Sequence, residues 1–184
     1  MPAPADHLLH PHPASCCPAI NAIRVRAEFA TAGDLHLHYR VFATPGGLRL
    51  PVAQAAGPGD LLWQHTCCEA FMASSDSGAY REFNFSPSGQ WAIYDFSDYR
   101  QRTALPRPPG PPRLSTHLLD DGFLLQASLP AELLPTGPAW QLGLTVVIEA
   151  ADGSKSYWAL AHAADHPDFH CRSSFILNLS HPTP

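Results

Sequence analysis

Glu69, Tyr80, Glu82 and Asn84 lie within Leu62–Arg100, a stretch that reads as short strands broken by turns. Trp63–Ala73, Tyr80–Phe85 and Trp91–Phe96 are the apolar-rich runs. Asp76-Ser77-Gly78 and Ser86-Pro87-Ser88-Gly89 are the turn signals between them. Side chains alternate faces along a strand. Cys68, Ala70 and Met72 therefore share one face, and Cys67, Glu69 and Phe71 the other. In the next strand Arg81, Phe83 and Phe85 oppose Tyr80, Glu82 and Asn84. The Phe83/Phe85 face belongs in a core. The other face then gathers hydroxyl, carboxylate and amide groups beside Glu69, with Trp63, Trp91 and Arg100 nearby in sequence. Such a face is either solvated sheet surface or a saccharide platform, with a ring stacked on Trp and its hydroxyls bonded to Glu, Asn and Arg. Two carboxylates on one face also admit glycoside hydrolysis by Glu69 and Glu82, with the separation setting the stereochemistry.

A second polar cluster comprises His162, Asp165, His166, Asp168 and His170. The ligand types suit a metal, but their order matches no metal motif, and Pro167 opposes a helix that would align them. A loop whose side chains make structural contacts is the favoured reading. His7, His10 and His12 with Cys16 and Cys17 invite a soft metal, against incidental residues of a tail. Met72 is the one methionine besides Met1 and offers a haem ligand, yet it shares a face with Cys68 and Ala70, which reads as core. Cys67 or Cys171 as a nucleophile would need a histidine base that the sequence does not place. No nucleophile elbow, phosphate loop or dinucleotide fingerprint is present.

The elements that must position these groups are strands. Ile23, Val25, Ala27 and Phe29 alternate with Arg24, Arg26 and Glu28. Leu35, Leu37, Tyr39 and Val41 alternate with His36, His38 and Arg40, across a turn at Gly33-Asp34. Arg113–Leu119 and Phe123–Leu129 form a further hairpin over Asp120-Asp121-Gly122. Leu48–Leu50 reads as a short strand, Pro130–Leu134 as one helical turn, and Trp140–Glu149 alternates cleanly. Ser156–His162 and Ser173–Leu179 complete the set. Pro106–Pro112 is a proline-rich connection between strands. No segment has helical spacing of full length, and about ten short strands predict an all-β, antiparallel two-sheet β-sandwich.

The combination of W-x5-E at Trp63–Glu69, YREFNFSPSGQW at Tyr80–Trp91 and SYWALAHAADHPDFH at Ser156–His170 resembles the DOMON-like, type 9 carbohydrate-binding-module-like domains of bacteria. The resemblance spans residues 20–179 and implies a β-sandwich. In sugar-binding relatives a terminal sugar is clamped between two tryptophans, with Glu and amide groups on its hydroxyls. Trp63 and Glu69 match the early pair, and Trp158 is the second tryptophan. The ligand-binding set expected on this basis is Trp63, Glu69, Tyr80, Glu82, Asn84, Trp91, Arg100, Trp158, His162, Asp168 and His170. No cofactor is expected, with haem as the alternative, and the module is expected not to be an enzyme.

The chain has 184 residues, enough for one domain with a sizeable core, and a net charge of −5 that argues against nucleic acid. No apolar run approaches membrane-spanning length, so no membrane partner is expected. Residues 1–18 read as a flexible leader without a signal-peptide pattern, and 19–180 as one domain. Adjacent strand cysteines point to opposite faces and make a poor disulfide framework. Five reduced thiols and a cytoplasmic location are therefore expected.

Overall fold

The structure is a computed structural model that describes residues 5–15, 17–30, 33–103 and 110–180. Its strands are β1 (His7–Pro11), β2 (Ile20–Phe29), β3 (Leu35–Ala43), β4 (Gly57–Pro58), β5 (Cys67–Ser74), β6 (Tyr80–Phe85), β7 (Gln90–Asp98), β8 (Gln101–Thr103), β9 (Arg113–Leu119), β10 (Gly122–Leu129), β11 (Ala139–Glu149), β12 (Lys155–Ala159) and β13 (Leu177–Ser180). Helix among the described residues is confined to single 3-10 turns at Leu62–Gln64, Ala131–Leu133 and Arg172–Ser174. Both expected hairpins form: β2 pairs with β3, and β9 with β10.

The hydrogen-bonded order is β4-β7-β6-β5-β11-β12-β1-β2-β3-β10-β9, with β8 added to β7 and β13 to β11. This corrects the expectation of two separate antiparallel sheets. The described strands form one curled, mixed sheet, and β4 runs parallel to β7. The connection is β1, in the segment read as a flexible leader. His7–Leu9 pair with β2, whereas His10 and Pro11 pair with Ala159 and Trp158 of β12. Leu9 is the one residue of β1 fully buried. A single apolar residue among histidines and prolines has no period, so the strand has no signature in sequence.

The two halves of the curled sheet face each other across one core. Leu37 and Tyr39 of β3 meet Cys68, Ala70 and Met72 of β5 and Phe83 and Phe85 of β6 in it. The Tyr39 hydroxyl donates to the Glu69 carbonyl oxygen at 2.7 Å, tying β3 to β5 through the interior. Each large side chain so buried contributes about 1.5–3 kcal/mol. The predicted parity therefore holds on β5 and β6, and it sends Glu69, Phe71, Glu82 and Asn84 to the opposite face.

That opposite face is also covered, which the sequence does not reveal. β12 and β13 flank the same edge of β11, at Thr145–Glu149 and Ala139–Leu142. The connection between them, residues 160–176, returns over the sheet and places Phe169 and Phe175 against Phe71 and Tyr80. Gly143 permits this: a Cβ there would stand 2.8 Å from the Phe175 ring. Consequently every residue of β5 is buried. Three further expectations need adjustment. Trp63 lies in the 3-10 turn before β5 rather than on a strand. Leu48 makes an isolated bridge to Ala150 in place of a strand. Residues 104–109 of the proline-rich connection, and Cys16, lie outside the described residues.

Candidate functional site

A cleft of about 480 Å³ opens on the outer face of β5, β6 and β7. Glu69, Phe71 and Glu82 form its floor. Antiparallel register sets Glu69 opposite Asn84, and Phe71 opposite Glu82, so the two carboxyl groups are diagonal neighbours. Glu69 is only 2% exposed. Its Oε2 accepts from the Thr145 hydroxyl at 3.3 Å, while Oε1 is buried with no hydrogen-bond partner. Burial, then the neighbouring Glu82, pushes its carboxyl well above the usual range. Burial also raises Glu82. Asn84 opposes that by donating to Glu82 Oε1 at 2.6 Å, and Arg102 and Arg100 oppose it electrostatically.

The walls come from three connections. Asp60, Leu61 and Trp63 form one, with Trp63 46% exposed. This wall is anchored behind by His65 Nδ1, 2.7 Å from Glu149 Oε2, and by Thr66, whose hydroxyl donates to the Arg49 carbonyl and accepts from the Glu149 amide. Tyr94, Phe96, Arg100 and Arg102 form the second. Tyr94 donates to Asp60 Oδ1 at 2.7 Å, and burial together with that bond pushes its hydroxyl up to about 12. Arg102 lies over the Tyr94 ring, 3.9 Å from its centroid. Tyr157, Pro167, Phe169 and His170 form the third.

A polar brace holds the second and third walls together. Asp168 accepts from Tyr99 Oη at 2.7 Å, from Arg100 Nη2 at 2.9 Å and from the His170 amide at 3.1 Å. Burial works against that charge, but the tyrosine, guanidinium and amide donors outweigh it and hold the Asp168 carboxyl below its usual value. Tyr80 Oη lies 2.8 Å from His170 Nδ1 and accepts from the Arg100 amide at 3.1 Å. Burial, reinforced by Arg100, pushes His170 down to about 4. His170 Nε2, 3.9 Å from Glu82 Oε2, is thus neutral at neutral pH. Leu61 and Arg100 both have φ of 54°, the only non-glycine residues with positive φ among those described. Both line the cleft. Strained backbone of this kind concentrates at functional sites.

Of the expected site residues, Trp63, Glu69, Glu82, Arg100 and His170 line the cleft. Tyr80, Asn84 and Asp168 sit behind it and hold its members. Two tryptophans are corrections. Trp158 pairs with Val146 and is buried in the core, its indole N–H donating to Ser156 Oγ. Trp91 packs against the same core. Strand alternation puts Tyr157, next to Trp158, on the cleft face instead. His162 is also displaced: its Nε2 is 2.9 Å from the His10 carbonyl, and its ring meets His12 edge-on. His166 pairs with exposed Asp165, so the histidines diverge, and no metal-holding group occurs among the described residues. Met72, the haem-ligand alternative, is buried in the core. Asp60, Tyr94, Arg102, Tyr157 and Phe169 went unanticipated. For Tyr94 and Tyr157 the signal was available, since both share a parity with Glu69's face once β7 and β12 are in register. Asp60 and Phe169 arrive on irregular connections that carry no period.

A proposed carbohydrate-binding protein from Bacteroides uniformis superposes with a TM-score of 0.65 at 17% identity, over 96% of this chain and 86% of that one. A family 9 carbohydrate-binding module from Caldicellulosiruptor kristjanssonii, solved with glucose, superposes at 0.51 and 12% identity, over 90% and 82%. A family 9 module from the same organism, solved with cellotriose, gives 0.50 and 11%, over 85% and 72%. The chain has the fold of these modules. No protein-family model and no curated protein matches its sequence.

Proposed function

We propose that the protein is a non-catalytic saccharide-binding module of DOMON-like, type 9 character, in which the facing halves of the curled sheet stand for the two layers of a sandwich. The ligand occupies the cleft over Glu69. The observation that carries this reading is Glu69 Oε1, a buried carboxyl oxygen without a partner in a cleft walled by Trp63, Tyr94, Tyr157 and Phe169. Such a group is costly to leave unsatisfied. A sugar hydroxyl entering the cleft donates to it while the ring stacks on the aromatic walls. The described thiols, Cys17, Cys67, Cys68 and Cys171, are free, which supports a reducing, cytoplasmic setting.

The paired carboxyls also suit hydrolysis, but one oxygen of Glu82 is engaged by Asn84, and the structural neighbours are binding modules. The test is a glycan array probed with wild type and Glu69→Gln. Hits that disappear in the variant, without release of new reducing ends from the bound glycan, support the reading. Hits unchanged by the substitution, or none at all, defeat it.

A further inference from the structure

The cleft is chemically lopsided. Its floor is carboxyl, and one wall carries Arg100 and Arg102. Asp168 takes one guanidinium nitrogen of Arg100, Nη2 to Oδ1 at 2.9 Å. Arg102 makes no ion pair among the described residues. Its guanidinium carbon lies over Tyr94, 3.9 Å from the ring centroid. Tyr94 is in turn fixed by Asp60. Stacking engages the face of a guanidinium and leaves its N–H edge free, and that edge is the part that forms paired hydrogen bonds to a planar anion. The stack also fixes a side chain that would otherwise lose rotamer entropy on binding. A hydroxyl-only sugar gives such an edge no charged partner.

We propose that the ligand of this cleft is an anionic saccharide, whose charged substituent is taken by Arg102, assisted by Arg100, while its hydroxyls reach Glu69. The proposal rests on the saccharide reading and narrows it. The shared chemistry is a sugar ring bearing a carboxylate or a sulfate. The planar fork of Arg102 favours the carboxylate of a uronic acid. Binding would seat the anion on the arginine wall, where Arg100 and Arg102 also offset the charge of Glu82, and bring the hydroxyl edge of the ring toward Glu69, so the charge asymmetry of the cleft fixes the orientation of the ring. At the ring's other face Trp63 and Tyr157 provide apolar surface without charge.

The test titrates the full chain, by protein-detected NMR, with D-glucose, D-glucuronate, D-galactose, D-galacturonate and glucose 6-sulfate. Acetate and inorganic sulfate serve as ring-free controls. The expected result is that at least one uronate binds about tenfold or more tightly than its neutral parent. That gap should shrink toward about 0.5 M salt, because an accessible ion pair is screened. In Arg102→Ala the ratio of anionic to neutral affinity should fall toward one. Arg102→Lys keeps the charge but not the fork, and should restore part of the ratio, more for the sulfate than for the uronate. Neutral sugars binding as tightly as their acids, or a preference that survives Arg102→Ala intact, overturns the anionic assignment and leaves the saccharide reading standing. Acetate or sulfate binding as tightly as the sugar acids, or no binding by any sugar, overturns the saccharide reading and this proposal together.

Discussion

Glu69→Gln should raise the stability of the free protein and weaken its binding. In the folded chain Glu69 is buried, its Oε1 has no partner, and its carboxyl is pushed well above its ordinary value of 4.5. The folded state therefore holds this proton at pH values where the unfolded chain has released it. Stability from this group is at its greatest below about 4.5 and falls as pH rises beyond it. A buried group left unsatisfied costs about 1–3 kcal/mol. Glutamine keeps the shape, can still accept from Thr145, and has no charge to desolvate. At pH 8 the variant should gain about 1–3 kcal/mol over wild type, and near pH 4 the two should converge. For a chain of this length that is a rise in Tm of several degrees at the higher pH. Binding moves the other way. Glutamine replaces one acceptor oxygen by an N–H donor, so the hydrogen bond from the sugar hydroxyl is lost and a polar group is left unsatisfied, about 1–3 kcal/mol, which lowers affinity tenfold or more. Thermal melts at both pH values, with calorimetric titration of an array hit, measure both effects. A variant less stable at pH 8, or one that binds as wild type does, refutes the account of this carboxyl.

His170→Asn keeps a polar partner for Tyr80 and removes the titrating ring. Displacement of His170 from 6.5 to about 4 makes wild-type stability fall as pH drops through that window. The variant should escape up to roughly 3 kcal/mol of that loss, and parallel denaturation curves from pH 4 to 6.5 would sink the assignment. Trp63→Ala should leave the melt nearly unchanged, because the side chain is 46% exposed, and should weaken binding about tenfold. Trp158→Ala should instead cost about 3–5 kcal/mol of stability through the core cavity it leaves. The reverse pattern would restore Trp158 to the site. Cys171, partly exposed, should react with a thiol reagent in the native protein, whereas Cys67 and Cys68, buried and with thiols pushed well up, should react only on unfolding. Rapid labelling of Cys67 would contradict its burial on β5.

Strand parity made the centre of the site legible. Alternation along Cys67–Ser74 and Tyr80–Phe85 was enough to put Glu69 and Glu82 on one face and Phe83 and Phe85 in the core. The same rule, applied to Ser156–Tyr157–Trp158, needs the register of β12 on β11, which the hairpin over residues 150–154 sets by pairing Glu149 with Lys155 and Val147 with Tyr157. The resemblance to sugar-binding modules points to Trp158 as a ligand contact, whereas this register turns Tyr157 to the cleft face and Trp158 into the core. The brace around Asp168 was outside the reach of sequence for another reason. Tyr99, Arg100 and Asp168 meet only because residues 160–176 fold back over the sheet, a course fixed by Phe175 seating on Gly143 rather than by any periodic pattern. β1 was hidden because its pairing, not its composition, makes it a strand.

The most direct test of the central claim follows the tryptophan indole N–H resonances of labelled protein while saccharides, neutral and acidic, are added. The account predicts that a binding sugar shifts the Trp63 indole, at the mouth of the cleft, together with the amides of Glu69 and Tyr157, and that the shift is lost in Glu69→Gln. The indoles of Trp158, Trp140 and Trp91, which pack in or against the core, should stay in place. A saccharide that binds while leaving the Trp63 indole unmoved, or that moves the Trp158 indole instead, would contradict it.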